Sequence, residues 1–252
     1  MNTIQSKKRT RLLLVLALLL FLYGAYRVAP FASALGNTRD RQFLAWWRGD
    51  SATRAALVTI QREACPGAPF ILPAEGFIGL LYGDPRGPYS PNRPHQGIDI
   101  FSNTDPGITP VYAAYDGYIT REARWKSTLI QRVPQDPLHP ERQIWLYYTH
   151  MADESGESDF IEPAFPPGTY DLFVAQGTLL GYTGNYSGSR LRSVWTHLHF
   201  SIVLDDGGRY RNELEFANTV DPSPYLGIDV DHETAAAGVA GCRESAGNAS
   251  VP

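Results

Sequence analysis

The sequence predicts a mainly β, loop-rich domain carried behind an apolar N-terminal segment and a short helical stalk. Three observations lead there. Among 252 residues, 23 Gly and 19 Pro punctuate short apolar stretches that share 14 Tyr and 11 Phe, a mixture that favours strands and turns over long helices. From Phe70 onward, β-type runs alternate with turn signals, and an uninterrupted apolar run stands directly behind a basic cluster near the start. A chain of this length, 43% hydrophobic, buries one proper core with appendages.

In order along the chain, residues 1–34 come first. Lys7, Lys8, Arg9 and Arg11 precede an apolar run from Leu12 to Tyr26; Arg27 and the small triplet Ala32-Ser33-Ala34 follow. Two readings stay open: a cleaved signal peptide, or a signal anchor. The run is short against the ~20 residues of a full span, but it extends past Arg27 if that side chain snorkels. Either reading sends the remainder out of the cytoplasm, with the positive end inside. Residues 37–64 read as one or two helices, through Phe43, Leu44, Trp46 and Trp47, then Ser51 as N-cap with Ala55, Ala56, Leu57 and Ile60 behind it. Pro66-Gly67 ends the stalk. The Trp pair either anchors at a membrane interface or packs on the domain.

Residues 65–230 form the main domain. Its expected strands are Gly76–Tyr82, Gly97–Phe101, Val111–Ile119, Ser127–Val133, Gln143–His150, Leu179–Thr183 and Thr196–Leu204. Between them, Asp84–Pro94, Pro134–Arg142 and Ala152–Thr169 are rich in loop formers, and connections this long usually serve function. Residues 231–252 read as a flexible, Ala/Gly/Ser-rich tail.

Charge excludes one class of partner. Five of the 22 Lys and Arg stand in the first 34 residues, leaving 17 against all 26 Asp and Glu. Lys126 is the one lysine in that remainder. Nucleic-acid binding needs clustered cations and is not expected. Cys65 and Cys242, near the two ends of the exported part, can close a disulfide in an oxidising compartment or remain partly buried thiols.

The chemistry lies in three short stretches. In Thr196-His197-Leu198-His199-Phe200-Ser201-Ile202, strand alternation sends Leu198, Phe200 and Ile202 to the core and both histidines to the other face. In His95-Gln96-Gly97-Ile98-Asp99-Ile100, Asp99 opposes the inward Ile98 and Ile100, and Gly97 is expected to let the backbone turn so that His95 meets it. Nitrogen and oxygen donors of this kind suit zinc, whose catalytic sites use three protein ligands and one open position. In Tyr147-Tyr148-Thr149-His150, a histidine ends an aromatic strand and becomes a candidate for proton transfer. Each stretch alone is weak: a His and an Asp four apart in a turn are commonly capping or surface residues. The six histidines are completed by His139 and His232, which read as surface residues.

Taken together and in order, His95-x-x-x-Asp99, Tyr148-Thr149-His150 and His197-x-His199 resemble the lysostaphin/LytM-type zinc endopeptidases. The flanks Gly97-Ile98-Asp99-Ile100, Pro110-Val111-Tyr112-Ala113-Ala114, Gly181-Tyr182-Thr183-Gly184-Asn185 and His197-Leu198-His199-Phe200 share the resemblance, from about Phe70 to Gly227. It implies a compact antiparallel β-sheet or sandwich with a groove. It also implies one Zn2+ per chain on His95, Asp99 and His199, and catalytic roles for His150 and His197. Spacing alone does not choose between His197 and His199 as ligand. The implied substrates are peptide cross-links or stem peptides of cell-wall peptidoglycan, met outside the cytoplasm by a secreted or membrane-anchored protein. The alternative is a non-enzymatic wall-binding regulator of another hydrolase; a peptidase for proteins is a third. Met151–Gly168 is longer and more acidic than the family pattern, and Tyr186–Trp195 is expanded; both are expected to border the groove. Tyr82, Tyr89 and Tyr148 are further candidates for holding substrate, against their commoner use in packing.

Overall fold

The computed structural model describes residues 38–60, 63–86, 88–189, 192–228 and 240–243, with Val15, Leu18, Leu19 and Tyr23. The rest of the apolar run, the Ala32-Ser33-Ala34 triplet and His232 lie outside the described residues. Among the described residues no helix is long and apolar enough to cross a membrane.

Helices α1 (Thr38–Arg48) and α2 (Ser51–Ala55) lead into strands β1 (Phe77–Ile78), β2 (Ile98–Phe101), β3 (Pro110–Tyr112), β4 (Gly117–Thr120), β5 (Leu129–Val133) and β6 (Ile144–Thr149). Strands β7 (Leu172–Val174), β8 (Leu179–Tyr182), β9 (Gly184–Tyr186), β10 (Ser193–Leu204) and β11 (Thr219–Val220) follow, and a last turn of helix, α3 (Ser223–Leu226), closes the order. The protein is thus mainly β. Nine strands form one sheet in the order β1-β2-β10-β6-β5-β4-β7, with β9 and β11 also pairing with β10; β3 and β8 form a separate pair. Every pairing is antiparallel.

The twelve-residue β10 lies between β2 and β6. Its alternation is as the sequence requires: Leu198, Phe200 and Ile202 are fully buried, joined by Ile98 and Ile100 from β2 and Leu146 and Tyr148 from β6. Each such side chain contributes about 1.5–3 kcal/mol, so the apolar face fixes the register and the opposite face inherits its placement.

Several expectations need correction. Val111–Ile119 is two strands, not one: β3 pairs with β8, the chain then bends through the buried Ala113 and Ala114, and β4 enters the main sheet. The Asp116-Gly117 dipeptide was the turn signal. Only Phe77–Ile78 of the stretch 76–82 is strand. β7, β9 and β11 are too short to give periodicity. The N-cap of α2 is Asp50, whose carboxylate accepts from Thr53 N at 2.8 Å, not Ser51, and that helix stops at Ala55, well before Pro66-Gly67.

The two helices lie against the domain. Trp46 is buried and stacks on Phe77 at 5.3 Å, while its neighbour Trp47 stays 52% exposed. Beyond them Thr59 bridges to Gly76 and donates its hydroxyl to the carbonyl of Ala240. Cys65 and Cys242 are joined as a disulfide across 177 positions. On the chain-entropy argument a loop of that length stabilises the fold by about 5 kcal/mol.

Candidate metal centre

The site stands on the polar face of β10 and its two neighbours. Register places His199 opposite Asp99 on β2 and opposite Thr149 on β6. His95 reaches the same point from the loop before β2, held by backbone bonds to Gly83 and Asp84 on both sides. Gly97, between them, has a different purpose from the turn expected of it. Its backbone runs against Phe200 and Ser201, so that an added Cβ would collide with the Phe200 carbonyl and the Ser201 hydroxyl. Glycine is required there by close approach.

Three donor atoms converge. His199 Nδ1 lies 2.8 Å from Asp99 Oδ1 and 3.0 Å from His95 Nε2, and His95 Nε2 lies 3.2 Å from Asp99 Oδ1. All three side chains are buried. Tetrahedral ligands ~2.0–2.1 Å from zinc are separated by about 3.3 Å, so the triangle is close to that size.

Their hydrogen bonds test the fit. His95 Nδ1 donates to the Leu81 carbonyl at 3.0 Å, leaving Nε2 a bare lone pair in the neutral ring. The ring of His199 meets Ser201 Oγ with Nε2, at 2.7 Å. If Ser201 accepts, His199 Nδ1 is bare as well, and three acceptors face one another with nothing positive between them. One proton on Nδ1, with Ser201 donating to Nε2, relieves this; so does a divalent cation in place of that proton. The donor set therefore fits a metal, and Leu81 and Ser201 orient the ligands as outer partners of metal-bound histidines do.

Charge follows the same logic. Burial opposes ionisation of Asp99, but attraction to His95 and His197 and a hydrogen bond from His199 outweigh it, holding the carboxyl well below its usual range. Burial pushes the His199 imidazolium down, only partly offset by Asp99. Carboxylate and neutral imidazole are the protonation states that ligation needs.

Two more histidines flank the triangle. His197 Nδ1 donates to the Trp195 carbonyl at 2.5 Å, and its Nε2 lies 3.8 Å from Asp99 Oδ1. His150 Nδ1 donates to the Tyr186 carbonyl at 2.6 Å, and its ring centroid is 4.3 Å from that of His197. The carbonyls fix the proton on Nδ1, so in a neutral ring Nε2 carries the lone pair. Burial, reinforced by His197, lowers the His150 pKa to about 3. The placement of His150 breaks alternation. Tyr148, two residues before it, is in the core, so an extended His150 would point inward too. Instead its φ is +74°, a left-handed conformation that costs a non-glycine residue about 1–2 kcal/mol and swings the ring onto the polar face.

The polar face opens into a groove of about 730 Å³ lined by His150, His199, Tyr147 and Tyr186, with Arg93 and Lys126 among its cations. Tyr89 stacks on His95 at 4.4 Å and forms part of the wall. The other two tyrosine candidates are structural: Tyr148 donates to Gln131 and accepts from Ala114 N in the core, and Tyr82 donates to the Thr219 carbonyl. His139 is exposed, near Glu141. Tyr186–Gly188 line the groove as expected. The acidic stretch does not: Gly156, Glu157 and Asp159 line a neighbouring cavity of about 600 Å³ that shares Arg124, Trp125 and Lys126 with it. Arg121, buried and paired with Asp159 at 2.8 Å, holds the stretch to that side.

Ser201 and Tyr147 were missed from sequence. Their signal was present, since Ser201 continues the parity of His197 and His199, and Tyr147 sits opposite Ser201 on β6.

No family model and no curated protein matches the chain. Among solved structures, the catalytic domain of lysostaphin from Staphylococcus simulans is 20% identical, with a TM-score of 0.39 over 59% of this chain and 90% of that domain. A Ruminococcus gnavus protein named for a glycyl-glycine endopeptidase, lytM, is 26% identical, with a TM-score of 0.37 over 55% of this chain and 48% of its own. Csd3 of Helicobacter pylori is 17% identical, with a TM-score of 0.38 over 68% of this chain and 35% of its own. The chain thus spans less than half of the latter two.

Proposed function

We propose that this chain is a zinc-dependent endopeptidase that hydrolyses cross-links or stem peptides of bacterial peptidoglycan outside the cytoplasm. In this reading residues 65–230 form the peptidase domain, 37–64 its stalk and 1–34 the export signal or anchor. One observation carries it: three buried ligand-type atoms of His95, Asp99 and His199 within 3.2 Å of one another, beside two further imidazoles, with His199 and His150 lining an open groove. The ordered motifs that resemble lysostaphin/LytM-type enzymes supply the substrate class.

His95, Asp99 and His199 would hold the ion through Nε2, Oδ1 and Nδ1. A bound zinc supplies Lewis acidity, polarising a peptide carbonyl and acidifying water. The protein does the rest. His150, neutral at physiological pH, takes a proton from attacking water at Nε2 and returns it to the leaving amine. Its Nδ1–H, tied to Tyr186, keeps the tautomer fixed. His197, held likewise by Trp195, would stand beside the developing oxyanion; a proton taken up from solvent on its Nε2 before attack would let it stabilise that charge. Two neutral imidazoles and one carboxylate leave a divalent site near +1, which suits an anionic transition state.

The test uses the full chain, loaded with zinc and incubated with purified peptidoglycan, with and without chelator. Mass spectrometry should find new amine-bearing muropeptides only in the zinc-loaded sample, with about one zinc per chain. Wall binding without any new amine would replace the enzyme by a regulatory module. Casein in place of wall tests a peptidase of broader range.

A further inference from the structure

We propose that helices α1 and α2 are positioning elements of the active site, fixing His197 through Phe43, Trp47 and Arg54. The inference rests on the peptidase reading for the role of His197 and on geometry for the rest.

His197 has two supports. Its Nδ1–H is received by the Trp195 carbonyl, and its ring lies on Phe101 with centroids 5.1 Å apart and planes 24° apart. Both supports are gripped from outside by the N-terminal helices. Phe43 of α1 meets Phe101 edge-on, at 5.6 Å and 81°. Trp47 of α1 meets Trp195 edge-on, at 6.0 Å and 82°. The Arg54 guanidinium of α2 lies over Trp195 at 5.3 Å, while its Nε donates to the Trp46 carbonyl at 2.9 Å. From the β2 side, Asn103 donates to the Ser51 carbonyl at 3.1 Å.

These grips act beside an irregular pairing. β10 pairs with β9 only at Ser193 and His197, with a register shift between them. On the β2 side the next peptide is held, the Thr196 carbonyl accepting from Ser102 N at 2.9 Å, but on the β9 side the Trp195 carbonyl lies within the register shift, and Trp195 is itself 41% exposed. What orients that carbonyl is the clamp on its side chain. If the Trp195 side chain is released and its peptide turns away, His197 loses its acceptor and both tautomers become available. The ring is then no longer held with Nε2 turned away from Trp195 and toward the site.

Docking alone does not require this arrangement. Trp46, buried against Phe77, already seats α1, so Phe43, Trp47 and Arg54 can be altered with the helix in place.

The experiment compares the full chain with Phe43→Ala, Trp47→Ala and Arg54→Gln, singly and together, and with Phe43→Tyr as the conservative control. Zinc content, kcat, KM and the ¹⁵N imidazole resonances of His197 are measured for each. The expected result is a kcat lowered by about 10–100-fold in the combined variant, as for misplacement of a reacting group, with KM and zinc content unchanged. The His197 nitrogens should move from a single tautomer toward an averaged pair, and Phe43→Tyr should retain the wild-type values. Unchanged His197 resonances and kcat in the combined variant would overturn the proposal, as would a matching loss of zinc, which would mean a general structural role. If the unaltered chain cleaves no peptide, the peptidase reading fails, but the His197 resonances still decide whether the helices position that ring.

Discussion

Two buried carboxylates on this scaffold look alike by burial and differ in everything else. Asp136, in the loop between β5 and β6, is fully buried. It accepts from Arg142 Nε at 2.7 Å, Tyr225 hydroxyl at 2.7 Å and the backbone N–H groups of Leu138 and His139. Each neighbour is a donor by its chemistry, so the cluster is complete as it stands. Asp99 is nearly as buried, yet its closest neighbours are ring nitrogens that either give or receive. Leu81 fixes His95, and when Ser201 accepts from His199 the Asp99 cluster has a surplus of lone pairs. A carboxylate surrounded by obligate donors holds a loop in place, whereas one surrounded by ambivalent imidazoles leaves room for a cation.

The largest effect that separates the two comes from exchanging their fates. On the proposed function, Asp99→Ala should abolish zinc binding and lower peptidase activity by more than the ~10²–10³-fold that follows loss of one stabilising donor. The metal-free form should lose some stability with the interactions that lower the Asp99 pKa, but less than Asp136→Ala. Zinc at 1,000 times its Kd should add about 4 kcal/mol to the wild type and nothing to the variant. Asp136→Ala should do the reverse. It keeps one zinc per chain but loses about 3 kcal/mol, the low end for a broken buried pair, since the Arg142 side chain retains 31% exposure. Urea denaturation with and without chelator, beside metal analysis, reads both; equal zinc loss in the two variants would remove the distinction.

Next come changes at the edge of the proposed metal triangle. Asn tolerates the left-handed backbone of residue 150, so His150→Asn should fold, keep its zinc and lose about 10²–10⁴-fold in kcat, the range for a positioned acid–base group. Retained kcat would move the proton-transfer role elsewhere. Ser201→Ala removes only the partner of His199 Nε2. Zinc affinity should fall about 10–100-fold, measured by competition with a chelating dye, while kcat at saturating zinc is preserved.

How much of this was legible in the sequence depends on which rule governed each residue. Alternation placed Asp99, His197 and His199 correctly opposite their apolar neighbours, because a buried face pins register. It would also have put Ser201 with them. The same rule fails at His150, where parity points to the core and a positive φ reverses it; strain at one residue leaves no periodic mark. Gly97 was visible as a glycine, but its reason lies in Phe200 and Ser201, about a hundred positions away. Short strands such as β9 and β11 exist because β10 offers them an edge, and two or three residues carry no period of their own. The acidic stretch 151–168 was a loop by composition; the side it fell to was decided by Arg121 and Asp159.

The smallest effect concerns a third carboxylate, Asp205 at the end of β10. It accepts from Gln143 Nε2 at 2.6 Å, Trp145 Nε1 at 2.8 Å and Gly208 N at 2.6 Å. Burial opposes its ionisation, but these donors and Arg211 outweigh it and lower its pKa. The sign follows from linkage. The unfolded chain takes up this proton first as pH falls, so the contribution is complete above the ordinary carboxylate value of ~3.9 and drains away as pH drops through it toward the native value. Asp205→Asn should therefore cost about 1 kcal/mol at pH 7 and progressively less toward pH 3, read from urea curves of metal-free protein. Like Asp136, Asp205 faces only donors, so its loss should leave zinc content untouched at every pH where the protein is folded. A gap between variant and wild type that stays constant down to pH 3 would mean that side-chain shape, not charge, sets the end of β10.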